Sequence, residues 1–420
     1  MGRRSRNGTL RVVPASIFAA ALIASCAPAS NTPTPEATVA TPIVAATGAS
    51  QPSSTDRLGE IPACPADIGT PLFDTIPVEL NDFIAFRPLG FMSPPIHIFP
   101  AKHSAFSMTL PGNEPVAKPV RAPGQSWVAE IWEISVGTGA ANYQVFIYPC
   151  REVRLYFGHV ASLSEKLMAG LSEGQPACSS TVETAATFTR CRHEDLLIPL
   201  ESGEPFGMGP DTAGVDFGLI DFRRAPAGFI VPEHYDYFYP YYASPLDYFT
   251  PEARRVLESK TGSVFGDPLR TTEPIGGTYM HDIPGTAQGN WFLPGVYLRD
   301  APDVSPLLAL AHDYVDPSQP LFSIGTSIQG VNAGLYTFRI ENQGLVNRDF
   351  SEVRADGQTY CYENFSQERP AGGMPVGQLR GILLVSMPSD TTLKIEAVEG
   401  GSCAESASWV FSANATTFER

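Results

Sequence analysis

The stretch Glu152-Val153-Arg154-Leu155-Tyr156-Phe157-Gly158-His159-Val160-Ala161-Ser162-Leu163 decides the fold. Val153, Leu155 and Phe157 alternate with Arg154 and Tyr156, the period of a strand with one face in a core. Gly158 then bends the backbone, so that His159 projects from the strand end.

The same reading extends outward. Val128 to Val136, Tyr143 to Tyr148, Leu321 to Ile324, Leu335 to Ile340, Leu379 to Ser386 and Thr392 to Val398 are β-branched or aromatic runs bounded by Gly and Pro, and each reads as a strand. Helices are few. Pro251 to Lys260 has Thr250 as N-cap, Pro251 in the first turn and Gly262 just past its end, and a shorter helix covers Leu163 to Leu171. With 39 prolines and 37 glycines, the expected class is all-β with long loops.

The chain begins with an export signal. Arg3, Arg4, Arg6 and Arg11 form its basic start, Val12 to Leu22 an apolar run too short to span a bilayer, and Ile23-Ala24-Ser25-Cys26 a small-residue cleavage pattern. This pattern resembles the bacterial lipobox. The resemblance implies cleavage before Cys26, lipidation of that cysteine, and an extracytoplasmic chain anchored to the bacterial cell membrane without spanning it. Residues 27–60, rich in Ala, Pro, Thr and Ser, read as a semi-rigid tether.

The whole chain carries 28 Lys and Arg against 44 Asp and Glu, and removing the four signal arginines leaves 24 against 44, a formal charge of −20. That argues against nucleic acid as a partner. With Cys26 assigned to lipid, Cys64, Cys150, Cys178, Cys191, Cys361 and Cys403 remain, an even number that points to disulfides in an exported chain. Sequence does not choose among the 15 pairings open to six cysteines. Proximity favours Cys178 with Cys191 and Cys361 with Cys403, which leaves Cys64 for Cys150.

Four pieces between Ile96 and Phe222 stand together in a recognisable order. The first is Pro100-Ala101-Lys102-His103-Ser104-Ala105-Phe106-Ser107 with the downstream Pro119-Val120-Arg121-Ala122-Pro123-Gly124, and the second is Tyr156-Phe157-Gly158-His159-Val160-Ala161-Ser162-Leu163. The third is Leu200-Glu201-Ser202-Gly203-Glu204-Pro205-Phe206-Gly207-Met208-Gly209, and the fourth is Gly214-Val215-Asp216-Phe217-Gly218-Leu219. Together they resemble the lysostaphin-like (duplicated hybrid motif) zinc peptidases, which cleave peptidoglycan and are built on a small folded antiparallel sheet. The resemblance implies that His103 stands at the first zinc ligand, Ser107 at the Asp ligand and Gly218 at the ligand His, while His159 and Asp216 stand at the two assisting positions. One retained histidine does not hold a catalytic zinc, which takes about three protein ligands. The expected cofactor is therefore none, with a rearranged zinc site built from His103, His159 and Asp216 as the alternative. Asp221 reads as a further carboxylate at the same end of the sheet.

Just after this module, His234-Tyr235-Asp236-Tyr237-Phe238-Tyr239-Pro240-Tyr241-Tyr242 concentrates aromatic rings. Tyr237, Tyr239 and Tyr241 are candidates to stack on sugar rings, and the strip reads first as a hydrophobic cover laid across the sheet with its hydroxyls at the rim. His193, His281 and His312 sit beside acids, a pattern commoner in caps and turns than in acid/base pairs, and His97 stands apart. No nucleophile elbow or phosphate-binding glycine loop is present. From Gly276 onward the alternating strands suggest a β-sandwich or small β-barrel.

These readings divide the chain into a lipoprotein signal (1–26), a linker (27–60), a degenerate peptidase-like domain with an aromatic and helical extension (61–275) and a C-terminal β domain (276–420). The expected function is that of a lipid-anchored envelope protein with an inactive peptidase-like domain that binds cell-wall peptide or glycan. Two alternatives stay open: a peptidoglycan metalloendopeptidase with a rearranged zinc site, and a structural lipoprotein that scaffolds another envelope protein.

Overall fold

The Val153–Val160 strand lies inside a ten-stranded antiparallel sheet. Its neighbours are Gly214–Asp221 on one side and Asn142–Cys150 on the other. Beyond Gly214–Asp221 come Ser104–Ser107 and then Ala85–Arg87, while beyond Asn142–Cys150 come Ser126–Val136, Ala186–His193 and Ala177–Glu183. The computed structural model describes residues 56–137, 139–172, 174–183, 186–299, 305–406 and 408–420. The export signal, Cys26 and all but the last residues of the linker lie outside the described residues.

Register follows the apolar face. Phe157 stands opposite Phe217 and Leu155 opposite Leu219, and the two phenylalanine rings stack at 4.7 Å. These side chains, with Val145, Ile147 and Val128, belong to one buried cluster. A slip of one residue would turn the whole row away from it.

The other face is also covered, by the aromatic strip whose composition suits a hydrophobic cover. Arg154 and Tyr156 are buried. An aromatic row runs across this face from Trp132 to Phe146 (4.9 Å), Tyr156 (6.1 Å) and Tyr242 (6.2 Å), so the Phe229–Tyr242 segment lies over the sheet as a lid of rings. Alternation in sequence shows that two faces differ, and does not show that the polar one is wet.

The bend also falls elsewhere than at Gly158. The left-handed residue is His159 (φ 61°), and the pairing with Asn142–Cys150 slips between Tyr143 and Val145, which makes a bulge there. Gly158 serves a different need: a Cβ on it would stand 3.0 Å from an oxygen of Asp216.

Both helices form close to where expected, at Glu165–Leu171 and Pro251–Glu258. The first starts late because Ser162–Leu163 pairs as a short strand with Gly207 and Met208, and Ser164 then caps the helix through Leu167 N–H. Thr250 caps the second through Ala253 N–H. Gly262 is not its stop signal, since the helix ends at Glu258 with Ser259 as its cap, and a Cβ on Gly262 would meet the Pro268 carbonyl at 2.4 Å.

Among its described residues the C-terminal part holds two four-stranded antiparallel sheets and no closed barrel. Residues of both sheets, among them Trp291, Phe322, Tyr336, Tyr362, Leu383 and Ile395, share one buried cluster, as in a sandwich. A further apolar cluster joins Leu89, Ile98 and Tyr239 to Phe292, Leu307 and Ala309, across the position 275/276.

Three disulfides connect Cys64 to Cys150, Cys178 to Cys191 and Cys361 to Cys403, the pairing favoured by proximity. They indicate an oxidising, extracytoplasmic environment. Among the described residues no helix is long and apolar enough to cross a membrane.

Candidate functional site

The strand register sets one row of residues side by side. Arg87 and Asp216 both pair with Ala105, one from each side, and Asp216 pairs on its far side with Gly158. The neighbours of this row are His103, at the start of the Ser104–Ser107 strand, and His159, on the bulge. Asp216 thus lies between two imidazoles: Oδ1 is 3.6 Å from His103 Nδ1 and Oδ2 is 3.6 Å from His159 Nε2. The three residues singled out by the peptidase resemblance meet at one end of the sheet.

Three further groups belong to this cluster. Asp211 holds His159 Nδ1 through Oδ1 at 3.1 Å, and its backbone N–H donates to the His159 carbonyl, also at 3.1 Å. His97 reaches in from the Ser93–His97 hairpin, its ring 5.4 Å from that of His103. Phe91 covers both, 5.3 Å from His97 and 5.1 Å from His103, and carries the Arg87 guanidinium on its face at 4.3 Å.

The imidazoles differ in charge for local reasons. Burial opposes the charge on His159, but Asp216 and then Asp211 outweigh it and raise the ring to about 9. His103 is 5 % exposed, and burial lowers it despite the pull of Asp216. Its Nδ1 faces the Ser104 carbonyl at 3.1 Å, and because a carbonyl only accepts, Nδ1 carries the proton. Burial and then His103 push His97 down to about 3. Burial works against the Asp216 carboxylate, but the surrounding imidazoles, His103 first, hold it below the usual range. At neutral pH the cluster therefore holds one imidazolium, His159, clamped between Asp211 and Asp216, with two neutral imidazoles behind it.

This arrangement does not fit zinc. An ion held at about 2.0–2.2 Å from each donor needs ligand atoms that converge on one point. His103 and His159 instead face opposite oxygens of Asp216, each at 3.6 Å. Ser107 is buried with its hydroxyl unpartnered. The space beside Gly218 is filled, since a Cβ there would stand 2.0 Å from Tyr156 Cε1. The one convergent set of three metal-capable side chains among the described residues is Cys64, Cys150 and Glu152, and its two sulfurs are joined in a disulfide.

The remaining candidates separate. Asp221 is at the far end of its strand, opposite Val153, where it accepts from Arg223 and the Tyr248 hydroxyl (2.7 Å), so it is not part of the site. Tyr239 is only 4 % exposed and packs in the apolar cluster under Lys102, which removes it from the candidates for stacking on a sugar. Tyr237 is 44 % exposed, and with the half-buried Tyr241 it flanks Phe222 at 5.9 and 5.2 Å. His312 pairs with the distant Asp349 at 2.9 Å rather than with its neighbour Asp313.

Sequence reasoning missed Arg87, His97, Asp211 and Tyr156 as members of the cluster. Pro94-Pro95 is a readable turn signal ahead of His97, but nothing local shows which residue the turn faces. The chain matches no family model, no curated protein and no solved structure.

Proposed function

We propose that this is an exported lipoprotein, anchored through Cys26 outside the bacterial cell membrane, whose peptidase-like sheet end binds cell-wall peptide or glycan without hydrolysing it. The observation that carries this reading is the clamped His159. Its charge is balanced by Asp211 and Asp216, its side chain is 40 % exposed, and among the described residues no convergent metal-binding set lies beside it. A half-exposed imidazolium next to carboxylates offers donors and acceptors to amide or hydroxyl groups, and Tyr237 and Tyr241 offer ring faces. The disulfides suit the same compartment.

The test is cosedimentation of the purified protein with isolated cell-wall sacculi, with and without EDTA. The expected result is saturable binding indifferent to EDTA and weakened by His159→Asn. Release of soluble fragments that EDTA abolishes would establish the metalloendopeptidase instead. Absence of cosedimentation would favour the scaffolding role.

A further inference from the structure

A second polar site lies apart from this cluster. A cavity of about 350 Å³ is lined by residues drawn from 270–288, among them Arg270, Glu273, His281 and Asp282, and from 312–317, among them Asp313. That volume suits a small molecule.

Arg270 lines it and is only 6 % exposed. Its Nε donates to the Pro274 carbonyl at 2.8 Å and Nη1 to the Tyr314 carbonyl at 2.6 Å, which uses two of the five N–H groups of a guanidinium. Among the described residues no carboxylate forms an ion pair with it. Glu273 and Asp313 act on it only through space, and both accept backbone N–H groups instead, Glu273 from Ile275 and Asp313 from Val315, Asp316 and Gly372. Asp282 accepts the Ile230 and Asn290 backbone N–H groups rather than pairing with Arg270. A buried cation ordinarily has a partner, because burying it alone costs several kcal/mol. A guanidinium left unpaired against a cavity is placed to take an anion from solution.

His281 lines the same cavity. Its Nε2 faces the Thr278 carbonyl at 3.2 Å, so that nitrogen holds the proton and Nδ1 is left to accept. Burial, then His312, lowers this ring to about 4, which keeps it neutral at pH 7. The cavity therefore offers a cationic donor edge and a neutral acceptor.

We propose that this cavity binds a small carboxylate with a hydrogen-bond donor on the adjacent carbon, an α-hydroxy or α-amino acid, its carboxylate against Arg270 and its donor against His281 Nδ1. This is independent of the cell-wall reading. Titration calorimetry on the full chain with lactate and alanine tests it, with methyl lactate as the uncharged control and propionate as the control without a donor. The expected result is one saturable site for lactate or alanine with Kd on the order of 1 mM or tighter, and affinity about tenfold lower for both controls. Arg270→Lys should lose the binding, but Arg270 also ties two carbonyls, so this variant risks misfolding. His281→Phe removes a half-buried ring and keeps the test open: lactate affinity should fall about fivefold while propionate is unaffected. No saturation by either acid, equal binding of methyl lactate or propionate, or unchanged lactate affinity in His281→Phe would overturn the proposal.

Discussion

Tyr156 lies directly over Gly218, its paired residue on the next strand, so closely that a single added Cβ would fall 2.0 Å from the ring. The ring is held on its other sides by Phe146 and Tyr242, and so cannot simply swing away. Gly218→Ala should therefore destabilise the protein by ~2–3 kcal/mol, the range for overfilling a packed site. In a Tyr156→Ala background the same change should cost nothing or stabilise by ~0.5 kcal/mol, because alanine is the better strand residue once the ring is gone. Urea denaturation of the four-protein cycle measures the coupling, and additive changes would contradict it. Gly218→His meets the same obstacle and should not create a zinc site.

The clamp on His159 predicts a pH dependence with a definite sign. Its folded value of about 9 lies above the ordinary 6.5, so its contribution is complete below pH 6.5 and is lost as pH rises through 9. The ring is 40 % exposed, so solvent screening reduces the effect to about 1 kcal/mol. His159→Asn, which tolerates the left-handed backbone, should flatten the urea midpoint between pH 6.5 and 9. An unchanged slope in the variant would assign the dependence to other groups. Below pH 6.5 the opposite sign applies to His97, whose folded value of about 3 means that acid favours the unfolded chain.

The Val153–Phe157 strand, both helices and two of the disulfides are legible in the sequence because local chemistry determines them: the alternation of apolar residues, the Ser164 and Thr250 caps, and cysteines that stand near each other along the chain. Cys64–Cys150, 86 residues apart, follows only once the other four are paired, and the Ala177–Glu183 and Ala186–His193 strands, which read as a loop between Cys178 and Cys191, take their place from pairing at the sheet edge. The meeting of His103, His159 and Asp216 is legible through register, since Phe157 opposite Phe217 carries Gly158 opposite Asp216 with it. What covers the sheet is legible in part: the strip from His234 to Tyr242 reads as a hydrophobic cover, and Tyr242 does pack over Tyr156. The entry of His97 into the cluster is not legible, because nothing local shows that the Ser93–His97 hairpin closes on His103.

The three disulfides should differ in accessibility. Cys178 is exposed and joins Cys191 across two strands at the sheet edge, whereas Cys361 and Cys403 are buried in an apolar cluster. Mild reduction followed by alkylation and peptide mapping should label Cys178 and Cys191 first. Their loss should cost ~3 kcal/mol, and loss of Cys361–Cys403, which spans 42 residues, ~4 kcal/mol by the loop-entropy argument. Labelling of Cys361 ahead of Cys178 would show that the C-terminal sheets open more readily than their packing implies.

The aromatic strip separates into supporting and presenting residues, and substitution should tell them apart. Tyr239 packs beside Phe229, Tyr235 and Tyr279 and lies under the Lys102 ammonium at 4.6 Å, so Tyr239→Ala empties a filled position and should cost ~3–5 kcal/mol. Tyr237 has its outer face free, and Tyr237→Ala should change stability by ~0.5 kcal/mol or less. If the strip presents ring faces to cell-wall glycan, Tyr237→Ala and Tyr241→Ala should each weaken cosedimentation with sacculi by about fivefold, near the ~1 kcal/mol expected of one aromatic contact. The double variant should be weaker still and equally stable to urea. Full binding by the double variant would confine recognition to the His159 end of the sheet and leave the strip as a cover alone.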